Sequence, residues 1–188
     1  MRKPVFFLSL IVALSFVPVF AGVQGAAKPR LILLIAEQNI EGPQKSWWAS
    51  EIDLSASEAI IARKLIDSGC EVLEPSQLSG LVKKNRAFRL LDPPEKDCVK
   101  LGNLSKADYV VVGKAVASSG GFAPASNMRS CFANLSAKLI RVKDSKVVAY
   151  LDAAGNSVHP DAVTGGREAL VKAAENLAPK LVAAVNKQ

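Results

Sequence analysis

The sequence is poor in the residues that carry catalysis. Among 188 residues there is one histidine, His159. A single histidine excludes a histidine-rich metal site, and a Ser-His-Asp arrangement would have to depend on this one side chain. No Gly-x-Ser-x-Gly segment places a serine on a sharp turn, and Gly165-Gly166 lacks the Lys-Ser/Thr partner of a phosphate loop. We therefore expect no catalytic residue, no metal site and no cofactor.

Cysteine is scarce and odd in number. Cys70, Cys98 and Cys131 lie 28 and 33 residues apart, a spacing that matches no metal-binding pattern. Three arrangements remain open for them. They are three separate buried thiols, one disulfide among the three, or a reactive thiol.

Positive charge exceeds negative charge, but it is not grouped in the sequence. The chain has 24 Lys and Arg against 17 Asp and Glu, and no basic run is longer than Lys83-Lys84. This spread favours a solvated basic surface, and we expect no nucleic-acid partner. An apolar share of 49% excludes a disordered or collagen-like chain, and the length fits one domain with a sizeable core.

The N-terminal segment has the layout of a secretory signal. Arg2 and Lys3 are followed by an uncharged, mostly apolar stretch up to Ala27. Small residues favour cleavage after Ala21 or near Ala26. We therefore predict a signal peptide over residues 1–27, which would direct the chain to the periplasm.

An uncleaved membrane anchor is the alternative for this segment, because its uncharged length could span a bilayer. The apolar part is short for a span, which favours cleavage. The first cysteine is Cys70, so no thiol near the cleavage site could carry a lipid. We expect residues 28–188 to form a single periplasmic domain with no stable membrane anchor.

Three short apolar segments predict strands. RLILLIA at 30–36 is continuous, which is typical of a strand covered on both faces, and YVVVGKAVA at 109–117 is the strongest such segment. EVLE at 71–74 predicts a short strand that ends at Pro75.

A fourth predicted strand has alternating apolar and polar residues. Apolar side chains share one of its faces: Cys131, Ala133, Leu135, Ala137 and Leu139. The thiol of Cys131 therefore points toward the packed side, which argues against a nucleophile. A polar turn leads to a last strand at 147–152, and the two strands form a hairpin with one wet face.

The first helix has clear end signals. Ser55 and Glu58 have the spacing of a capping box and Gly69 supplies a left-handed stop, so we predict a helix over 56–68. Its buried stripe would consist of residues four apart: Ile61 with Leu65 and Ala62 with Ile66.

Further helical segments complete the architecture. We predict a short helix over 76–84, another after Asp92, and a last one that begins at Gly165-Gly166 and that Pro179 should kink or divide. In outline the order is β-α-β-α-β-β-β-α. This order predicts an α+β, two-layer fold with a mixed sheet of about five strands and helices packed on it.

The Trp47-Trp48 pair is the candidate partner-binding feature. Neighbouring residues in an extended loop point in opposite directions, so one ring can pack inward while the other meets solvent. Aromatic residues are enriched at the energetic centres of interfaces. The alternative is that both rings cover the open edge of the core.

Four segments, taken in order, carry a family resemblance: RLILLIAEQ at 30–38, DSGCEVLEPS at 67–76, KADYVVVGKA at 106–115 and ANLSAKLIRVKDSKVVA at 133–149. Together they resemble the middle domain of flagellar assembly protein T. The same architecture is similar to the amino-terminal domain of TolB, the curli-secretion lipoprotein and the penicillin-binding-protein activator lipoprotein.

The resemblance implies a periplasmic, non-enzymatic module that binds protein partners during envelope or surface-appendage assembly. An exposed sheet edge or the tryptophan pair would provide the contact. The alternative is a secreted enzyme whose site is built from dispersed residues such as Cys98, His159 and a carboxylate.

Overall fold

The computed structural model describes residues 28–41, 45–46, 48, 54–84, 88, 90 and 93–187. The predicted signal peptide, residues 1–27, lies outside the described residues. The strands are β1 (Arg30–Gln38), β2 (Glu71–Leu73), β3 (Tyr109–Phe122), β4 (Arg129–Arg141) and β5 (Lys146–His159). The helices are α1 (Ala56–Asp67), α2 (Pro75–Lys84), α3 (Glu95–Ser105) and α4 (Ala162–Asn186).

Both helices predicted between β2 and β3 are present, as α2 and α3. The outline β-α-β-α-β-β-β-α counted them as one element. The last helix is undivided, because α4 continues through Pro179. Among the described residues, no helix is both long enough and apolar enough to cross a membrane.

The sheet is mixed, as predicted. Its strand order is β2-β1-β3-β4-β5. β1 runs parallel to both β2 and β3, and helices connect these parallel strands. β3, β4 and β5 are antiparallel neighbours joined by short turns. The α+β class with five strands is therefore confirmed.

Two hydrophobic cores lie on opposite sides of the sheet. The first core joins the sheet to α1 and α4, and the second joins it to α2 and α3. β1 contributes to both, because Leu33 and Ile35 enter the first core while Ile32 and Leu34 enter the second. This explains its continuous apolar run and confirms that it is covered on both faces. There are three layers at β1, and two where β4 and β5 carry only the first core.

The alternation predicted in β4 is also confirmed. Cys131, Leu135 and Leu139 belong to the first core, whereas Asn134 and Ser136 are exposed on the other side.

The end signals of α1 are confirmed as well. The capping box of Ser55 and Glu58 is present, and Gly69 follows the helix with φ of +88°. One expectation for this helix was wrong. Ile66 is 56% exposed, because the buried face of α1 ends at Leu65.

The closest approach of a helix to the sheet occurs at Gly155 in β5. A Cβ atom added there would collide with the Ala169 carbonyl oxygen and the Ala173 nitrogen, both backbone atoms of α4. Backbone atoms cannot turn aside as a flexible side chain can, so only glycine fits at this crossing.

We expect Gly155→Ala to lower the free energy of unfolding by about 3 kcal/mol, because the extra methyl group forces α4 away from the sheet. Urea unfolding measures this. The control is Gly121→Ala in β3, where an added Cβ meets no atom within 4 Å. The control should change stability by less than about 0.5 kcal/mol. Equal effects of the two substitutions would contradict close packing at Gly155.

Candidate partner-binding surface

The tryptophan pair is only partly described. Trp48 is half-buried and packs against the second core. Trp47 lies outside the described residues. A binding role for this loop therefore stays a prediction.

The three cysteines are separate and buried, and none is in a disulfide. Cys70 and Cys131 lie in the first core and Cys98 lies in the second, so no disulfide links them. Burial raises the pKa of the Cys70 thiol, which disfavours the reactive thiolate. Of the arrangements left open by the sequence, the structure has three buried thiols.

The residues suggested for a dispersed enzyme site are not brought together. His159 ends β5, and its Nδ1 lies 3.0 Å from both the backbone nitrogen and the carbonyl oxygen of Asp161. Its Cβ faces α4, near Gly165, whereas Cys98 is buried on the other side of the sheet. Within the part of the chain that the structure describes, no three His, Cys, Asp or Glu side chains gather to hold a metal ion.

Two buried carboxylates meet where β1 ends and α1 begins. The Glu37 carboxylate accepts hydrogen bonds from the backbone N–H groups of Ala56 at 3.3 Å and Ser57 at 2.7 Å. Ser55 Oγ accepts from the backbone N–H of Glu58 at 3.2 Å. Together these oxygens satisfy the first three amide groups of α1, which have no partner inside the helix.

The second carboxylate, Glu58, connects the helix back to the strand. Its Oε1 accepts from the backbone N–H of Ile35 and its Oε2 accepts from that of Ser55, each at 3.2 Å. Burial raises the pKa of Glu58 to about 7, against the opposing effect of these hydrogen bonds, and the negative charge of Glu37 adds to the increase. All four carboxylate oxygens of Glu37 and Glu58 are engaged by backbone groups. We name this pair the carboxylate clamp, and its geometry is that of a structural link.

One large face of the sheet is not covered by a helix. On the side of the second core, α2 and α3 cover β1, the beginning of β3 and the end of β4 at Ile140, and the remaining parts of β3, β4 and β5 face solvent there. We name this region the open face. Its outward residues on the three strands include Lys114, Val116, Ser118, Phe132, Asn134, Ser136, Lys138, Tyr150, Asp152, Ala154, Asn156 and Val158.

Apolar side chains are exposed on this open face. Tyr150 is 74% exposed, Phe132 is 47% exposed and Val158 is 48% exposed. The Phe132 ring lies across the sheet over Gly120, which has no side chain to block it. Exposed apolar groups of this size, set among polar residues, are characteristic of interaction sites.

The open face contains a groove. It has a volume of about 420 Å³, and its walls include Val112, Lys114, Ser136 and Tyr150. Beside it, Lys138 Nζ forms a 3.0 Å ion pair with Glu95 Oε1 of α3. The open face therefore combines an apolar groove, an exposed aromatic ring and charged groups at its margin. The sequence did not single it out, since its residues are the ordinary outward positions of an alternating sheet.

The exposed edge of the sheet, at β5, is occupied by side chains of α4. Lys172 Nζ donates to the Asn156 carbonyl at 3.0 Å, Asn176 Nδ2 to the Ala154 carbonyl at 2.9 Å, and Lys180 Nζ to the Asp152 carbonyl at 2.7 Å. An added strand needs these same outward carbonyl groups. The middle of β5 is thus protected from strand addition. The open face is therefore the better candidate for binding a partner.

Comparison with known proteins gives matches to solved structures at low identity. No family model matches the chain, and no curated protein matches it. The LpoB C-terminal domain from Salmonella enterica is 13% identical, with 70% of this chain and 85% of that one covered and a TM-score of 0.44. A lipoprotein from Neisseria meningitidis is 14% identical, with 86% and 96% covered and a TM-score of 0.45.

The PelC dodecamer from Paraburkholderia phytofirmans is 17% identical, with 84% of this chain and 86% of that one covered and a TM-score of 0.41. Identities and TM-scores this low assign neither a family nor a function. The resemblance of the sequence to flagellar assembly protein T and TolB stays a prediction.

The raised pKa of Glu58 predicts a pH dependence of stability. Between about pH 4.5 and pH 7 the folded chain holds this proton while the unfolded chain releases it, so stability falls as the pH rises through this window. The contribution is at most about 3 kcal/mol. Glu58→Gln cannot ionise and should lose this pH-dependent part. Urea unfolding of both proteins across the window measures it, and curves of equal slope would exclude the effect.

The protection of β5 predicts a gain of self-association when it is removed. We expect a variant with Lys172→Ala, Asn176→Ala and Lys180→Ala to form larger species than the unmodified chain in sedimentation velocity, because free carbonyl groups on an edge strand recruit other strands. The control, Lys96→Ala with Lys100→Ala, removes the same charge from exposed positions of α3. The protective role is wrong if the triple variant and the control sediment alike.

Proposed function

We propose that this chain is an exported, non-enzymatic binding module of the bacterial envelope that holds a protein partner on its open face. The exposed Tyr150 ring beside the groove is the observation that carries the proposal. A ring that is 74% exposed gains most from being covered, because tyrosine offers a large apolar surface and a hydroxyl group at little conformational cost.

The surroundings of the ring support a protein partner. Tyr150 lies at one end of the open face, and Phe132 and Val158 are exposed near the other end, with polar residues of β4 and β5 between them. Lys114 and Asp152 supply groups of both charges beside the groove. Aromatic residues set among polar groups are typical of protein–protein interfaces. The groove gives a partner side chain a place to enter.

Two further observations favour binding over catalysis. The clamp carboxylates are fully engaged by backbone groups, and Cys98 and His159 lie on opposite sides of the sheet. Export is supported by the layout of residues 1–27. A role in envelope or flagellar-like appendage assembly is the finer form of the proposal, and it depends on the four segments that resemble flagellar assembly protein T and TolB.

Photo-crosslinking in the native cell tests the proposal. A photo-reactive amino acid replaces Tyr150 in one strain and Glu175, an exposed residue of α4, in another. We expect the first strain to trap one defined envelope protein that the second does not trap. Equal products from both positions, or none from the first, would contradict docking on the open face.

The trapped protein then allows an affinity measurement. Tyr150→Ala with Phe132→Ala should weaken its binding by about 2 kcal/mol or more, since buried aromatic anchors dominate interfaces. Ile66→Ala with Leu104→Ala is the matched control, because these side chains are 56% and 53% exposed on helices and are not part of the open face. Both variants binding like the unmodified chain would refute the assignment of the anchors.

A further inference from the structure

The turn between β3 and β4 projects from one end of the sheet. β1 pairs with β3 only as far as Val116, and β5 pairs with β4 only as far as Arg129. Past the ends of these pairings, only the turn between β3 and β4 continues. We name the segment Phe122–Arg129 the hairpin tip.

The tip exposes apolar side chains at its base, where the turn joins the two strands. Phe122 is 60% exposed and Met128 is 41% exposed, and the turn between them begins Ala-Pro-Ala. These groups are held in place by hydrogen bonds: the Ala123 N–H donates to the Met128 carbonyl at 2.7 Å, and the Ser126 N–H donates to the Ala123 carbonyl at 3.2 Å. The tip is therefore an ordered apolar projection.

Positive charge accompanies the tip. The Arg129 guanidinium stacks on the Phe122 ring, 4.5 Å from its centroid. The hairpin of β3 and β4, Tyr109–Arg141, contains four Lys and Arg and no acidic residue, and two of the four, Lys138 and Arg141, form ion pairs at the end away from the tip. Residues 28–188 carry 22 Lys and Arg against 17 Asp and Glu, a net charge of +5. The domain is therefore cationic as a whole, and Arg129 is the basic residue of the tip.

The acidic residue that follows β5 caps a helix. Asp161 lies just after the end of β5, but its carboxylate caps α4 by accepting from the Thr164 N–H at 2.7 Å and the Thr164 hydroxyl at 2.6 Å. Its hydrogen-bonding capacity is directed at the helix. Arg129 remains the charged group stacked on the apolar tip.

From these observations we propose that the hairpin tip inserts into the headgroup region of an anionic lipid bilayer. Phe122 and Met128 enter the boundary of the acyl chains, and Arg129 stays at the level of the phosphates. A narrow convex projection suits a bilayer, which yields around it, better than a protein surface, which would need a matching cavity. Peripheral contacts of this kind depend on apolar area together with attraction to anionic lipid. The contact leaves the open face available, so it is separate from the proposed function.

Vesicle sedimentation tests the insertion with residues 28–188, which contain every residue of both cores. The probes are vesicles of phosphatidylglycerol with phosphatidylethanolamine, and vesicles of phosphatidylcholine. We expect binding to the anionic vesicles that weakens with added salt, and much weaker binding to phosphatidylcholine. Phe122→Ser with Met128→Ser should reduce the partition coefficient about tenfold.

The matched control is Ile66→Ser with Leu104→Ser, which removes similar exposed apolar groups elsewhere. It should bind vesicles like the unmodified chain. Circular dichroism checks that each variant is folded, and Arg129→Ser, which spares the apolar groups, should lower only the anionic-vesicle binding. The proposal is overturned if the unmodified chain stays in the supernatant, or if the tip variant and the control bind equally. If the chain ignores vesicles but dimerises in a way that Phe122→Ser abolishes, the tip is instead an interface between two copies.

Discussion

The fold depends on how the free edge of β1 is closed. β2 pairs with only the first three residues of β1, which leaves the second half of a buried strand without a neighbour on that side. Glu58 fills part of the gap by accepting from Ile35, and Lys45 exchanges two backbone hydrogen bonds with Glu37. An unsatisfied backbone group in this position would be costly, because no water reaches a fully buried strand. The carboxylate clamp accepts hydrogen bonds from the backbone N–H of Ile35 in β1 and from the first amide groups of α1. The strand and the helix therefore fix each other's position.

The helices cover the two faces of the sheet unequally. α4 spans the first core along 25 residues, whereas α2 and α3 are 10 and 11 residues long and cover mainly the parallel strands on the other side, together with the end of β4. β3, β4 and β5 continue well beyond them. The open face and the hairpin tip are both products of this mismatch in length, and they present different chemistry: a groove with aromatic residues in one case and a cationic apolar projection in the other.

Much of the fold was predictable because its signals are local. The apolar run of β1, the alternation around Cys131 and the stop at Gly69 each depend on neighbouring residues. The clamp was not predictable, because Glu37 and the amides it binds are 19 and 20 residues apart and no periodic pattern links them. Tyr150 was missed for a related reason: an outward position in a strand looks the same whether water or a partner covers it. The tryptophan pair was predicted to bind a partner because aromatic residues are enriched at interfaces. Trp48 contributes to packing against the second core.

The hydrogen bonds from α4 to β5 have a consequence for the chain during its synthesis. α4 follows β5 in the chain, so the strand edge leaves the ribosome before the helix that shields it. During that interval the sheet can pair with any extended chain nearby. The export that we propose for this chain would avoid this hazard if the polypeptide crossed the membrane unfolded and folded only after α4 had arrived.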